Sequence, residues 1–109
     1  MSGPHLADAA PILEIAVFDI VPGQEAGFEQ AFAQARQLIA QVGGHLGHEL
    51  LRSHETPAQY ALLVRWQRIE DHTEGFRGSP LYTQWRALLS PYFRQPPTVG
   101  HYLPRAGTD

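Results

Sequence analysis

The chain has 109 residues, 43% of them hydrophobic, with no cysteine, eight Lys+Arg against eleven Asp+Glu, and a formal net charge of −3. That length and composition fit one globular domain, and they exclude disulfides, thiolate metal sites, a cysteine nucleophile and the basic stripe that a nucleic-acid partner requires. All eight cationic side chains are arginine, so there is no lysine for Schiff-base or lysine-anchored pyridoxal chemistry.

Residues 1–10 are small, polar and proline-containing and read as a flexible N-terminal tail. They lack the basic start and apolar run of a secretory signal. No stretch of the chain approaches the roughly 20 apolar residues that span a bilayer. The expectation is a cytoplasmic protein with no membrane partner, one domain over 11–104, and a C-terminal tail at 105–109.

Ile12 to Val21 is β-rich, with Glu14 and Asp19 its only charges, and reads as a strand that Pro22-Gly23 breaks. From Gln24 to Val42 the apolar residues Phe28, Ala31, Phe32, Ala35, Leu38, Ile39 and Val42 form one helical stripe. Glu25 and Glu29 lie early in it and Arg36 later, as the helix dipole favours. Gly43-Gly44 ends it. His45 to Arg52 is a second strand, and Thr56-Pro57 turns the chain into a third, Tyr60 to Arg65, closed by Trp66.

Arg68 to Phe76 begins a second helical region. Gly78-Ser79-Pro80 restarts it, with Ser79 as N-cap and Pro80 at the first helical position. Leu81, Trp85, Leu88, Leu89 and Tyr92 continue at helical spacing until Pro91 and Pro96-Pro97 stop the helix. Thr98 to Leu103 is a short last strand.

The order β-α-β-β-α-β specifies an α+β, ferredoxin-like fold, with two helices on one face of a four-stranded antiparallel sheet. The first strand carries apolar residues at both parities: Ile12 and Ile20 at one, Leu13, Ile15, Val17 and Val21 at the other. Both faces of the sheet therefore need cover. A chain this short has no third layer, so a homodimer packed sheet against sheet is expected.

Six histidines raise the question of a metal. His45 and His48 are the tightest pair. At odd spacing on a regular strand their side chains point to opposite faces. His45 and Glu49 share a face but lie about 13 Å apart along the strand. No metal site is expected. Glu70 and Asp71 read as the acidic first turn of a helix. His72 differs, because it shares a helix face with Phe76 that can point toward the sheet, and imidazole moves protons near neutral pH. Trp66, Phe76, Tyr82 and Trp85 suit a core, but Arg77 and Arg86 stand beside them, and guanidiniums stack on rings and bind phenolate or carboxylate oxygens. No Ser/His/Asp order stands out as a triad, and there is no GxGxxG motif or phosphate loop.

Several of these features together resemble the antibiotic biosynthesis monooxygenase (ABM) family of dimeric α+β barrels. They are the strand–Pro-Gly–helix opening with Phe28 and Phe32, the Gly44-His45-Leu46-Gly47-His48-Glu49 lead-in to strand two, and Trp66 ending strand three. The segment Phe76-Arg77-Gly78-Ser79-Pro80-x-Tyr82-x-x-Trp85-Arg86 is the fourth. The resemblance spans about residues 12–103. It implies a pocket in each subunit between helices and sheet, and oxidation of quinols or polycyclic phenols by dioxygen without metal or flavin. In ring-oxidising members the pocket uses an Asn in strand three, a Trp at its end, a Tyr in the following helix and an Arg further on. Trp66 and Arg86 match this chain directly. His72 stands at the Tyr position, and Leu62 at the Asn position, where it cannot polarise a carbonyl. Haem-degrading members need an Asn in strand one and an iron-ligating His in helix two. Ala16 and Trp85 or Arg86 stand there instead.

The resemblance and the cluster of rings and guanidiniums together suggest catalytic positions for His72, Trp66 and Arg86, and substrate-binding positions for Phe76, Tyr82, Arg77 and Leu62. His72 would accept a proton, Arg86 would stabilise the substrate anion, and Trp66, Phe76 and Tyr82 would clamp an electron-rich aromatic ring. The competing readings are a non-catalytic module that sequesters a small ligand and an accessory dimer with none. A polar group deep in the pocket favours the enzyme, and a wholly apolar pocket favours the binding module.

Overall fold

The computed structural model describes residues 11–105. The tails read at 1–10 and 105–109 lie outside the described residues, save Arg105. The elements are β1 (Ile12–Asp19), α1 (Glu25–Ile39), β2 (His45–Arg52), β3 (Gln59–Trp66), a π-helical turn (Asp71–Phe76), α2 (Pro80–Leu89), a 3-10 turn (Ser90–Tyr92) and β4 (Thr98–Tyr102). The sheet order is β2-β3-β1-β4, with every neighbour antiparallel. This is the ferredoxin-like α+β arrangement that the element order specifies. Among the described residues no helix is long and apolar enough to cross a membrane.

β1 shows why the sheet has two apolar faces. Glu14, Ala16 and Phe18 are buried toward the helices, while Leu13, Ile15 and Val17 are half-buried on the opposite face. Cross-strand partners continue that second face: Ile15 lies opposite Leu63, and Val17 opposite Ala61. The strand ends at Asp19, two residues before its β-rich sequence does. Ile20 makes an isolated bridge to Phe93. Pro22 then has no N–H to give a ladder, and Gly23 turns the chain at a φ of 89°.

α1 buries Phe28, Ala31, Phe32, Ala35 and Ile39 against the sheet. Its apolar stripe runs on to Val42, but the helix does not. The last bonds tighten to 3-10 type, with Gln41 N–H to Leu38 O and Val42 N–H to Ile39 O. Gly44 then turns at a φ of 89°, and a Cβ there would collide with the Asp71 carboxylate. Glycine is needed at that point for both reasons.

The core lies between this helical layer and the sheet. Phe28 packs on Tyr60 with ring centroids 4.8 Å apart, and the Tyr60 hydroxyl donates to Glu29 at 2.5 Å. Burying each such side chain contributes about 1.5–3 kcal/mol.

Two local expectations are corrected. Ser79 occupies the N-cap of α2, but its hydroxyl donates backward to the Phe76 carbonyl at 2.7 Å rather than accepting from the helix. The second correction concerns β2. His45 pairs with Trp66 and Gly47 with Arg65, so the ladder skips Leu46. This bulge inserts one residue and resets the alternation. His45 and His48 therefore share the helix-side face, with Nε2 of the first 3.0 Å from Nδ1 of the second. Glu49, paired with Leu63, is on the other face. The opposite-face placement of the two histidines, and the shared face of His45 and Glu49, both assumed an unbroken strand.

Candidate functional site

A cavity of about 410 Å³ opens between the helix-side face of the sheet and the elements from the π-helical turn to Pro97. β1 contributes Glu14, Ala16 and Phe18 to its floor, β3 contributes Leu62, and β4 contributes Val99. Strand alternation aims all five the same way: Ala16 lies opposite Leu62 on one side and Val99 on the other. The walls are rings: Phe76 from the π-helical turn, Tyr82 and Trp85 from α2, and Phe93 beyond it. Phe76 holds Tyr82 and Trp85 edge-on, at 5.2 and 5.4 Å between centroids. Arg77, Arg86 and Arg94 also line the cavity and are solvent-exposed, so their guanidiniums ring its mouth.

Glu14 is the one carboxylate among the cavity's lining residues, and it is only 5% exposed. Its Oε1 accepts the Trp66 indole N–H at 2.9 Å, and His72 Nε2 lies 3.5 Å away. Burial pushes its pKa up; the Trp66 hydrogen bond and the Arg77 charge pull less strongly the other way. A carboxylate so placed is a stronger base than one in water.

His72 is 3% exposed and stacks on Trp66, with ring centroids 5.4 Å apart and planes 16° off parallel. Its Nδ1 lies 2.8 Å from His101 Nε2. Burial first, then the charges of Arg77 and His101, push its pKa down to about 3, so the ring is neutral at pH 7. The backbone that presents it is unusual. The Arg77 N–H bonds to the His72 carbonyl five residues back, at 3.1 Å. π-Helical turns of this kind widen a helix and recur at functional sites. This one puts His72 and Phe76 side by side over the sheet, 6.3 Å between centroids.

Of the residues singled out from sequence, Leu62, His72, Phe76, Arg77, Tyr82 and Arg86 come together around this cavity. Trp66 does not line it. Its ring is fully buried behind Glu14 and His72, where it fixes both. Trp85 and Arg86 both reach the cavity, although adjacent helical positions point about 100° apart. Trp85 does so from within the core, 5.9 Å from Phe32, and Arg86 from the solvent edge. Asp71 is spent locally, accepting the Arg68 backbone N–H at 3.0 Å.

Sequence reasoning missed two members. Glu14 was visible as one of two charges in the first strand, and the one at the same parity as Ile12, Ala16 and Phe18. His101 faces it across the ladder as its register partner. No local pattern announces a partner so distant in sequence. Among the described residues no group of three or more His, Asp or Glu is arranged to hold a metal ion.

The sequence profile described as "Antibiotic biosynthesis monooxygenase" matches residues 11–88. The uncharacterised protein YczJ of Bacillus subtilis is 44% identical over 91 residues, covering 84% of this chain and 96% of YczJ. A crystal structure from Bordetella bronchiseptica, provisionally described as an antibiotic biosynthesis monooxygenase, superposes with a TM-score of 0.86 at 40% identity. It covers 88% of this chain and 98% of its own. SnoaB of Streptomyces nogalater, described as a cofactor-independent oxygenase and solved as a mutant, shares the fold at a TM-score of 0.71. Identity there is 22%, over 93% of this chain and 97% of SnoaB.

Proposed function

The chain belongs to the antibiotic biosynthesis monooxygenase family, and from that premise we propose that it is a cofactor-independent monooxygenase of a small, electron-rich aromatic of the quinol or polyphenol type. The observation that carries this reading is Glu14. A binding module for an apolar ligand has no use for a buried carboxylate at the floor of its cavity, where desolvation costs the fold stability. A base that must deprotonate a phenol has every use for one.

In the proposed reaction a phenolic hydroxyl reaches Glu14 and gives up its proton. The ring lies between Phe76, Tyr82 and Trp85, and the guanidiniums of Arg77 and Arg86 at the mouth stabilise negative charge on the substrate. The phenolate is electron-rich enough to pass electrons to dioxygen. A C–O bond forms as the ring is oxidised and dioxygen is reduced to a peroxide. Protonation of the peroxide, cleavage of its O–O bond and loss of the ring C–H proton then leave a quinone carbonyl and one water. Leu62 and Ala16 form an apolar patch of floor beside Glu14, suited to a small apolar gas. Sequence reasoning gave the proton-accepting role to His72. Its strongly lowered pKa favours Glu14 as the first acceptor, with His72 behind it. Trp66 becomes a positioning residue.

The same reading includes a homodimer. Leu13, Ile15, Val17, Ala61 and Leu63 are half-buried on the sheet face away from the helices, flanked by Leu51 and Tyr102 at 43% and 55% exposure. A second copy packed on that face covers them. Sedimentation velocity should give a dimer at micromolar concentration, and a stable 12.1 kDa monomer refutes that part.

The test of function is an aerobic screen of hydroquinones and polyphenols with chelator-treated protein, followed by an oxygen electrode. Enzyme-dependent oxygen uptake with at least one quinol is expected. Quinols that bind at micromolar concentration while none consumes oxygen would establish the binding module instead.

A further inference from the structure

Glu14 is buried, so a proton it takes from a substrate needs a way out. Three observations describe one. His72 Nε2 is 3.5 Å from Glu14 Oε1, and His72 Nδ1 is 2.8 Å from His101 Nε2. The two histidine rings are 5.0 Å apart. His101 is half-buried at the helix-side face of β4, next to solvent-exposed Tyr102, and does not line the cavity. Carboxylate, imidazole and imidazole thus stand in a line from cavity floor to protein surface. We propose that Glu14, His72 and His101 form a proton relay, which carries the substrate's proton out of the cavity and returns it later in the same turnover. The proposal rests on the oxygenation reading given above for its direction and timing, but not for its existence.

The outward stroke begins with both imidazoles protonated on Nδ1. Glu14 takes the phenolic proton and passes it to His72 Nε2. His72 releases its Nδ1 proton to His101 Nε2, and His101 releases its own Nδ1 proton to water. The substrate is left as the phenolate, and both rings are left neutral and protonated on Nε2. Once the peroxide has formed, the chain runs backward. Water protonates His101 Nδ1, His101 Nε2–H protonates His72 Nδ1, and His72 Nε2–H reprotonates Glu14, which protonates the peroxide. Each ring recovers its first tautomer. A one-way imidazole chain would have to flip its rings to reset, and His72, pinned between Trp66 and Phe76, has no room to do so. Because the proton leaves early and is needed late, this reaction supplies the return stroke itself.

The surroundings suit transfer through neutral rings. Arg77, after the π-helical turn, is the charge that acts on all three members of the relay, Glu14, His72 and His101. Burial and the Arg77 charge lower the pKa of both histidines, so neither traps the proton as a stable imidazolium.

The closing experiment has a substrate-free arm and a turnover arm. In the first, NMR measures exchange with water of the Trp66 indole and His72 ring protons in protein labelled with nitrogen-15. Wild-type exchange through the relay should be slowed about tenfold or more in folded His101→Leu, which melts somewhat lower because the buried His72 Nδ1 loses its partner. Unchanged exchange overturns the relay. His101→Gln is the second variant should Leu fail to fold: it keeps a polar side chain but cannot shuttle a proton between two ring nitrogens, and it should slow exchange equally. In the second arm, on any quinol found to be a substrate, His101→Leu should lower kcat by about tenfold at constant KM, and millimolar imidazole should restore it. A loss that imidazole does not restore, or no loss, overturns the relay's catalytic role. Slowed exchange with no quinol consuming oxygen leaves the relay standing and overturns the oxygenase reading.

Discussion

Replacing Glu14 by Gln should make the protein more stable and less active at once. Gln has the same shape, and its carbonyl oxygen can still accept the Trp66 indole N–H that Glu14 accepts at 2.9 Å. The same oxygen faces His72 Nε2 at 3.5 Å, and the imidazole protonated on Nε2 can donate to it. What disappears is a buried charge whose desolvation outweighs the hydrogen bond from Trp66 and the attraction of Arg77. Exchanging a buried charge for a neutral isostere is neutral or stabilising, and about 1–2 kcal/mol is expected here. For a domain of this size that raises the melting temperature by about 4 °C per kcal/mol.

The pH dependence has a definite sign. Burial raises the folded-state pKa of Glu14 above its ordinary 4.5. Its contribution to stability is therefore fully present below that ordinary value and lost as pH rises through the folded value. Wild type and variant should melt alike at pH 4, and the variant's advantage should open above pH 4.5. Turnover on an identified quinol should fall by about 100-fold or more, the loss expected of a general base. Thermal melts followed by circular dichroism at pH 4 and pH 8, with oxygen uptake beside them, measure both. A variant that melts several degrees lower at pH 8 and keeps its turnover would refute the reasoning and make Glu14 a structural hydrogen-bond anchor.

His72 should make the fold acid-sensitive. Its pKa is lowered from 6.5 to about 3, so its stabilising contribution is complete above pH 6.5 and is lost as pH falls toward 3. The urea midpoint should drop between pH 7 and pH 5, and His72→Gln should flatten that drop; an unchanged slope in the variant contradicts the assignment. Trp85→Ala should destabilise by about 3–5 kcal/mol, because the ring is 7% exposed and packs on Phe32 and Phe76. Arg86→Ala should leave melting almost unchanged while lowering turnover about tenfold, or about 1.4 kcal/mol of barrier; equal turnover would make Arg86 a plain surface residue. Gly44→Ala should cost about 1–3 kcal/mol through its positive φ and its collision with the Asp71 carboxylate, and a melting temperature equal to wild type would contradict that geometry.

The element order was legible because each element carries its own period. The Phe28–Ile39 stripe, the β-rich run of β1 and the Gly and Pro punctuation are all local signals. So was the gathering of Phe76, Arg77, Tyr82 and Arg86, which sit on two consecutive helical segments. The β2 bulge was not, since the skipped residue, Leu46, looks like any other strand position. Gly47, the only hint, is equally at home in a plain strand end. Trp66 could be assigned to the site but not to a layer within it, because burial behind Glu14 depends on β1 and β3 lying in register. Glu14, His72 and His101 meet only through the pairing of first and last strands and a π-helical turn. Register between strands some 90 residues apart and a widened helical turn leave no periodic trace in sequence.

Isotopically labelled dioxygen tests the central claim most directly. The chelator-treated protein is incubated with a reactive quinol under labelled dioxygen, and the quinone is analysed by mass spectrometry, for wild type and Glu14→Gln. The account predicts one labelled oxygen atom per quinone product in wild type, and little product from the variant. A product without label, formed equally by both proteins, would mean that Glu14 takes no part and that the ring is not oxygenated from dioxygen at this site.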